Sequence, residues 1–372
     1  MSEAGTEGNG GQAIDGGSGL GPAKRHLASW GTGSALPRPE GATGSATVVL
    51  ESPAHLDQLL ASDLAGPGTL VLVPGDQEAE GQDPAAAPLV LGYQGSLVEP
   101  GDEMSLGDAF FLQTQDYATS QYMSVIGPTL IRITEPGDFE AFLADADAAH
   151  DKGEFPAHVS EPVVRLADLS ALGAGTGADG PRTRLYVNAD GQVSTAPGGI
   201  PLGGLDSGLD ALDAQWRDLN SRSLQPCSVA LSAAVPDEDR TAQLTARPWL
   251  GRYLAVLDAL RELRTRGVTG LKVSGFGGRL DPALDEVTVP ADTDRALPLL
   301  LWSEDKAYVH VAETGRFFQL DLRAAKVAEA LLVHGEPGAA AAHAAPAALQ
   351  QVQAFFGTAG VRLTADRSGD GA

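Results

Sequence analysis

Four places in this chain carry residue types able to do chemistry. In HDKGEFPAH, His150, Glu154 and His158 recur every four residues, the spacing at which one helix face presents three zinc donors. Gly153 and Pro156 would interrupt that helix, so no metal centre is expected there. GFGG (275–278) has the glycines of a phosphate cradle. It lacks both the GxGxxG spacing and a following Lys-Ser/Thr pair, and reads as a structural turn. Cys227, in SLQPCSVAL, has no basic or histidine neighbour in sequence to lower its pKa, which suits an inert, buried thiol. His310 falls within an alternating apolar run and reads as a strand-face residue. GxSxG, HExxH and kinase-type sets are all missing. No catalytic residue, metal or cofactor is therefore expected.

Composition narrows the partners. The 372 residues hold 25 Lys and Arg against 49 Asp and Glu, a formal charge of -24. That charge repels nucleic-acid phosphates and anionic lipid heads, so neither nucleic acid nor membrane is an expected partner. With one cysteine, an intramolecular disulfide or a CxxC site is impossible. No run has the length of a signal-peptide core or a membrane span, and a cytoplasmic protein is expected.

The elements that position these residues divide the chain into an α+β, multidomain arrangement. Residues 1–45 are rich in Gly and Ser and read as a disordered tail. An acidic α/β domain over 46–170 opens with the runs ATVVLE and GTLVLVPG, with Ser52-Pro53 starting a helix between them. PLVLGY, AFFLQT and TLIRIT are further strands, and 135–150 is a helix with Phe139, Phe142 and Leu143 on one stripe. Residues 76–151 hold 15 acids and one base, Arg132, so this surface is either solvated or docks a basic partner. After a turn-rich loop at 170–183, a central α+β domain over 180–290 contains a hairpin around Asp190-Gly191 and helices at 209–220 and 248–267. Trp216, Trp249 and Trp302 read as core or interface anchors.

The last unit, 296–365, is the most regular, and a short disordered tail is expected at 366–372. Strands are expected at 299–303, 307–311 and 316–320, joined by Glu304-Asp305 and Glu313-Thr314-Gly315. Asp321 caps a helix whose apolar set is Leu322, Ala325, Val327, Leu331 and Leu332, stopped by Gly335 and Pro337. A final helix over 346–360 aligns Leu349, Val352, Phe355 and Phe356, and VRL (361–363) ends the unit. A three-stranded sheet followed by helices has an outer strand with unpaired backbone groups. Such an edge beside an apolar helix is suited to binding a peptide by strand addition.

This order of features, PLLLWSEDKAYVHVAETGRFFQLDLRAAKVAEALLVHGEP followed by LQQVQAFFGTAGVRL, resembles the PqqD-like precursor-peptide recognition element of ribosomal peptide (RiPP) pathways. The resemblance implies a winged-helix-like unit whose third strand pairs with a leader peptide. It assigns Arg316, Phe317, Phe318, Gln319 and Leu320 to the edge, and Leu349, Val352, Phe355 and Phe356 to an apolar wall. An alanine-rich link at 338–346 stands where that family has a second helix. RLYVNADGQVSTAPGG echoes the SPASM extension of radical-SAM peptide maturases but lacks its cysteines. The layout as a whole resembles recognition proteins of actinobacterial daptide-type pathways. It implies a leader peptide as ligand, with an oxidoreductase, an aminotransferase and a methyltransferase as partner enzymes. Two alternatives stay open: a maturation enzyme with dispersed catalytic residues and a fused clamp, and a winged-helix DNA-binding regulator.

Overall fold

The computed structural model describes residues 2–3, 20–77, 83–175, 179–287 and 293–364; most of the expected N-terminal tail before residue 20, and all of the expected 366–372 tail, lie outside them. Backbone contacts group the chain into two units. One joins Ile14–Leu143 to Val163–Arg247, and the other joins Met1–Ala13, Ala144–Pro162 and Pro248–Ala372. Strand β1, Ser2–Glu3, belongs to the second.

In the first unit the order is α1 (Leu20–Thr32), β2 (Thr47–Leu50), α2 (Leu56–Leu60), β3 (Leu70–Pro74), β4 (Leu89–Gly95), β5 (Glu103–Leu106), β6 (Phe110–Asp116), α3 (Tyr117–Ser120), β7 (Thr129–Arg132), the start of α4 (Pro136–Lys152), β8 (Val164–Leu166), β9 (Arg184–Val187), β10 (Gln192–Ser194), β11 (Gly203–Gly204), α5 (Leu209–Ser221) and α6 (Asp237–Ala246). The ten strands make one mixed sheet in the order β11-β10-β9-β2-β3-β4-β5-β6-β7-β8. Its centre is parallel, with β2 between β9 and β3 (Val48↔Leu185, Val48↔Val71). A parallel strand buried on both faces reads as a near-continuous apolar run, as the VVL of β2 and LVLV of β3 do. Val48, Leu50, Val71 and Val73 face a core completed by Leu59, Leu202, Leu209 and Leu212. Val49, Leu70 and Leu72 face the other, shared with Ala23, Leu27 and Trp30 of α1. Ser52 accepts the Ala54 N–H and starts a short 3-10 turn at Pro53, as its sequence predicts.

Two expectations change here. Residues 20–32 form a helix in the core, because Ala23, Leu27 and Trp30 recur at helical spacing within the glycine-rich composition. The loop at 170–183 does not separate two sheets either. It carries the chain from β8, at one edge, to β9 beside β2, so strands from both expected domains share one sheet.

The second unit contains the end of α4, then α7 (Leu250–Thr265), β12 (Lys272–Val273), β13 (Leu299–Trp302), β14 (Ala307–Val311), β15 (Arg316–Leu320), α8 (Leu322–His334), α9 (Pro337–Ala340) and α10 (Pro346–Thr358). Its sheet is antiparallel, β12-β13-β14-β15, with β1 added outside β15. The molecule is thus a mixed α and β protein with the expected three-stranded meander inside a larger sheet. Residues 361–363 are not a strand. Val361 and Leu363 are buried against the α8 and α10 core as irregular chain. No helix among the described residues is long and apolar enough to cross a membrane.

Candidate functional site

Strand β15 is paired along its full length with β14, from Val311↔Arg316 to Ala307↔Leu320. On its outer side, among the described residues, the pairing is limited to Ser2↔Gln319 and Glu3↔Phe318, antiparallel. The far edge of the sheet is closed differently, by Lys272↔Trp302 and Val273↔Leu301 between β12 and β13. Among the described residues each outer strand of the meander thus has two outward pairings, over the five residues of β15 and the four of β13.

Alternation decides what each side chain of β15 can do. Leu300, Val309 and Phe318 form one cross-strand row, and they pack with Leu331, Leu349, Val352 and Phe356 of α8 and α10. Leu299, His310 and Phe317 form the opposite row. There the His310 ring stacks on Phe317 at 4.2 Å, and the Arg266 guanidinium lies 5.0 Å from the centre of the Phe317 ring. Both faces of the meander are covered. Of the nine residues the resemblance assigns, Phe317, Phe318, Leu320, Leu349, Val352 and Phe356 are core, while Arg316, Gln319 and Phe355 are half-buried. The expected apolar wall is internal, because Phe318 meets Phe356 edge-on at 5.3 Å and Phe355 at 6.0 Å, filling the groove between β15 and α10. A ligand is left with the β15 backbone, Gln319 and the rim of Phe355.

Strand β15 is also anchored at both of its ends. Arg316 donates to Ala359 O at 2.8 Å and lies over the Phe318 ring at 4.9 Å, tying the start of β15 to the end of α10. Asp321 accepts the Arg323 and Ala324 N–H groups and turns the chain from β15 into α8. Gly335, at φ 68, ends α8 by donating to Leu331 O. The alanine-rich link supplies α9, a single turn.

Burial lowers the His310 pKa to about 4, with Glu262 pulling upward and Arg266 adding to the lowering. Below about pH 6.5 the unfolded chain binds a proton here that the folded chain refuses until about pH 4. Stability from this group is thus lost as pH falls through that window, by up to about 2 kcal/mol at pH 5. His310→Gln is expected to flatten that part of the stability profile, measured by urea unfolding at pH 7, 6 and 5. A slope unchanged from wild type would rule His310 out as its source.

The other chemistry-bearing residues are placed apart from this edge. The imidazole of His150 stacks on Trp249 at 4.2 Å, and α4 ends at Lys152 with Gly153 at φ 71, so His150 and His158 do not share a helix face. Among the described residues no group of three or more His, Cys, Asp or Glu is placed to hold a metal ion. GFGG is a tight turn in which Gly277 donates to His150 O, and a Cβ on Gly277 would lie 2.3 Å from the Lys152 carbonyl carbon. That closeness, with φ at 71, is why glycine stands there. Cys227 is buried, and burial pushes its thiol up to about 11.

Sequence reasoning missed Glu329. It sits fully buried on α8, where its Oε1 accepts Ser274 Oγ at 2.7 Å and Leu280 N–H at 2.8 Å, and its Oε2 accepts Asp281 N–H at 2.7 Å. The signal was a carboxylate four residues after Ala325 and three before Leu332, within the apolar stripe.

A scan against protein-family models finds no match to this chain, and searches of curated proteins and of solved structures find none either.

Proposed function

We propose that this chain is a non-catalytic recognition protein of RiPP biosynthesis, of the daptide type, with a winged-helix-like PqqD-type unit at 296–365. It binds the leader of a ribosomally made precursor along β15 by strand addition and presents the core peptide to separate tailoring enzymes. The observation that carries this reading is that β15 ends the meander and takes an added antiparallel strand: five residues pair inward with β14 and, among the described residues, two pair outward with Ser2–Glu3. Backbone hydrogen bonds supply affinity along such an edge, and Gln319 with the Phe355 rim supplies side-chain selectivity. The net charge of -24 disfavours the DNA-binding alternative for the same small-sheet topology.

The test is fluorescence anisotropy with a labelled leader peptide encoded beside this gene. Phe355→Asp, at a half-buried position, is expected to weaken binding at least about tenfold. Phe111→Asp, exposed in the other unit, serves as the control and should leave binding unchanged. The proposal fails if the wild-type chain does not bind, or if folded Phe355→Asp binds as wild type does.

A further inference from the structure

The outer side of β15 has an occupant from the chain itself. Ser2 pairs with Gln319 and Glu3 with Phe318, antiparallel, at the middle of the strand where a peptide ligand would add. We propose that the segment around Ser2–Glu3 is a tethered competitor for the β15 edge, which a peptide ligand must displace before it binds. The inference rests on the peptide-recognition reading above, but its first arm below does not depend on that reading.

Two physical features make the contact displaceable rather than structural. Among the described residues it is short: two residues, Ser2 and Glu3, against the five of β15. Each backbone hydrogen bond is worth on the order of 1 kcal/mol net, so a two-residue ladder is marginal alone. The covalent tether compensates by raising the effective concentration of the segment at the strand edge. A longer strand that pairs with all five residues has the larger ladder and also reaches the Phe355 rim. The consequence is selectivity: weak or short peptides are excluded by the resident segment, and an extended ligand replaces it. The segment also pairs one side of a strand that would otherwise invite edge-to-edge association.

The first arm measures amide hydrogen exchange across 316–320 in the full chain and in a Ser2→Pro, Glu3→Pro double variant, with no ligand added. Proline removes the donors of the added strand. Exchange within β15 is expected to speed up about tenfold in the variant and to slow again when a synthetic SEAGTEGN peptide is added at millimolar concentration. Unchanged exchange overturns the inference. So does protection that depends on protein concentration in the wild-type chain, because a second copy would then supply the strand.

The second arm compares leader-peptide affinity. The double variant is expected to bind about tenfold more tightly than wild type, and equal affinities overturn the competition. If neither binds leader while the exchange difference persists, the recognition reading falls and the intramolecular occupancy stands, so the two failures are distinguishable.

Discussion

Arg184→Ala is expected to destabilise the ten-stranded unit by about 3–5 kcal/mol, the largest effect of any single substitution considered for that unit. Arg184 lies on β9, is 1 % exposed, and joins four parts of the chain. Its Nε and Nη2 donate to both oxygens of Asp179, at 2.8 and 2.9 Å, and its Nη1 lies 2.7 Å from Asp168. The same Nη1 donates to Trp30 O at 2.8 Å, satisfying a carbonyl at the last turn of α1. Burial opposes the charge on the guanidinium, but Asp179 and Asp168 more than reverse this and hold it protonated. Removing the side chain strands two buried carboxylates and one helix carbonyl, which is the expensive way to break a buried ion pair. The contrast two residues earlier is instructive: Arg182 pairs with Asp210, the two side chains being 56 % and 91 % exposed. Arg182→Ala is accordingly expected to cost no more than about 1 kcal/mol. Urea unfolding followed by circular dichroism compares the two directly, and similar midpoints would remove the argument for Arg184 as a buried tie.

That same residue shows which parts of the fold the sequence makes legible. Local patterns were readable: the β-branched runs that became β2 and β3, the hairpin around Gly191, the helices α5 and α7, and the three strands of the C-terminal meander. Each depends on periodicity or turn chemistry within about ten residues. What stayed hidden depends on separation in sequence. The pairing of β2 with β9 joins Val48 to Leu185, and no local signal encodes that register. Helix α1 was obscured because Gly21, Pro22 and Gly31 dilute the stripe of Ala23, Leu27 and Trp30, and only the sheet beneath makes that stripe meaningful. At the candidate site the edge strand was legible, but which aromatics line a surface and which fill the core was not. Phe355 and Phe356 are neighbours on one helix, yet Phe356 is buried while Phe355 reaches the rim, a distinction set by how α10 packs on Phe318.

Glu329→Ala is the corresponding experiment for the C-terminal unit, with an expected loss of about 3 kcal/mol. Burial pushes the Glu329 carboxyl up, while Ser274 and the Asp281 and Leu280 N–H groups favour its charged form. Alanine leaves those two amides without the acceptor they now have, and the segment 274–281 loses its attachment to α8. That segment follows directly on β12, whose Lys272 and Val273 close the β13 side of the sheet. Loosening it bares the backbone of β13, flanked by the buried Leu299, Leu300 and Leu301. An exposed apolar edge of this kind templates association between molecules. The variant is therefore expected both to melt earlier and to aggregate on heating, read by differential scanning fluorimetry with light scattering. Glu329→Gln retains one acceptor oxygen but turns an amide NH2 toward one of the donors, and should fall between wild type and alanine. If Glu329→Ala melts and scatters like wild type, segment 274–281 is held by the β12 pairing and the turn at Gly277 alone, and Glu329 is not its anchor.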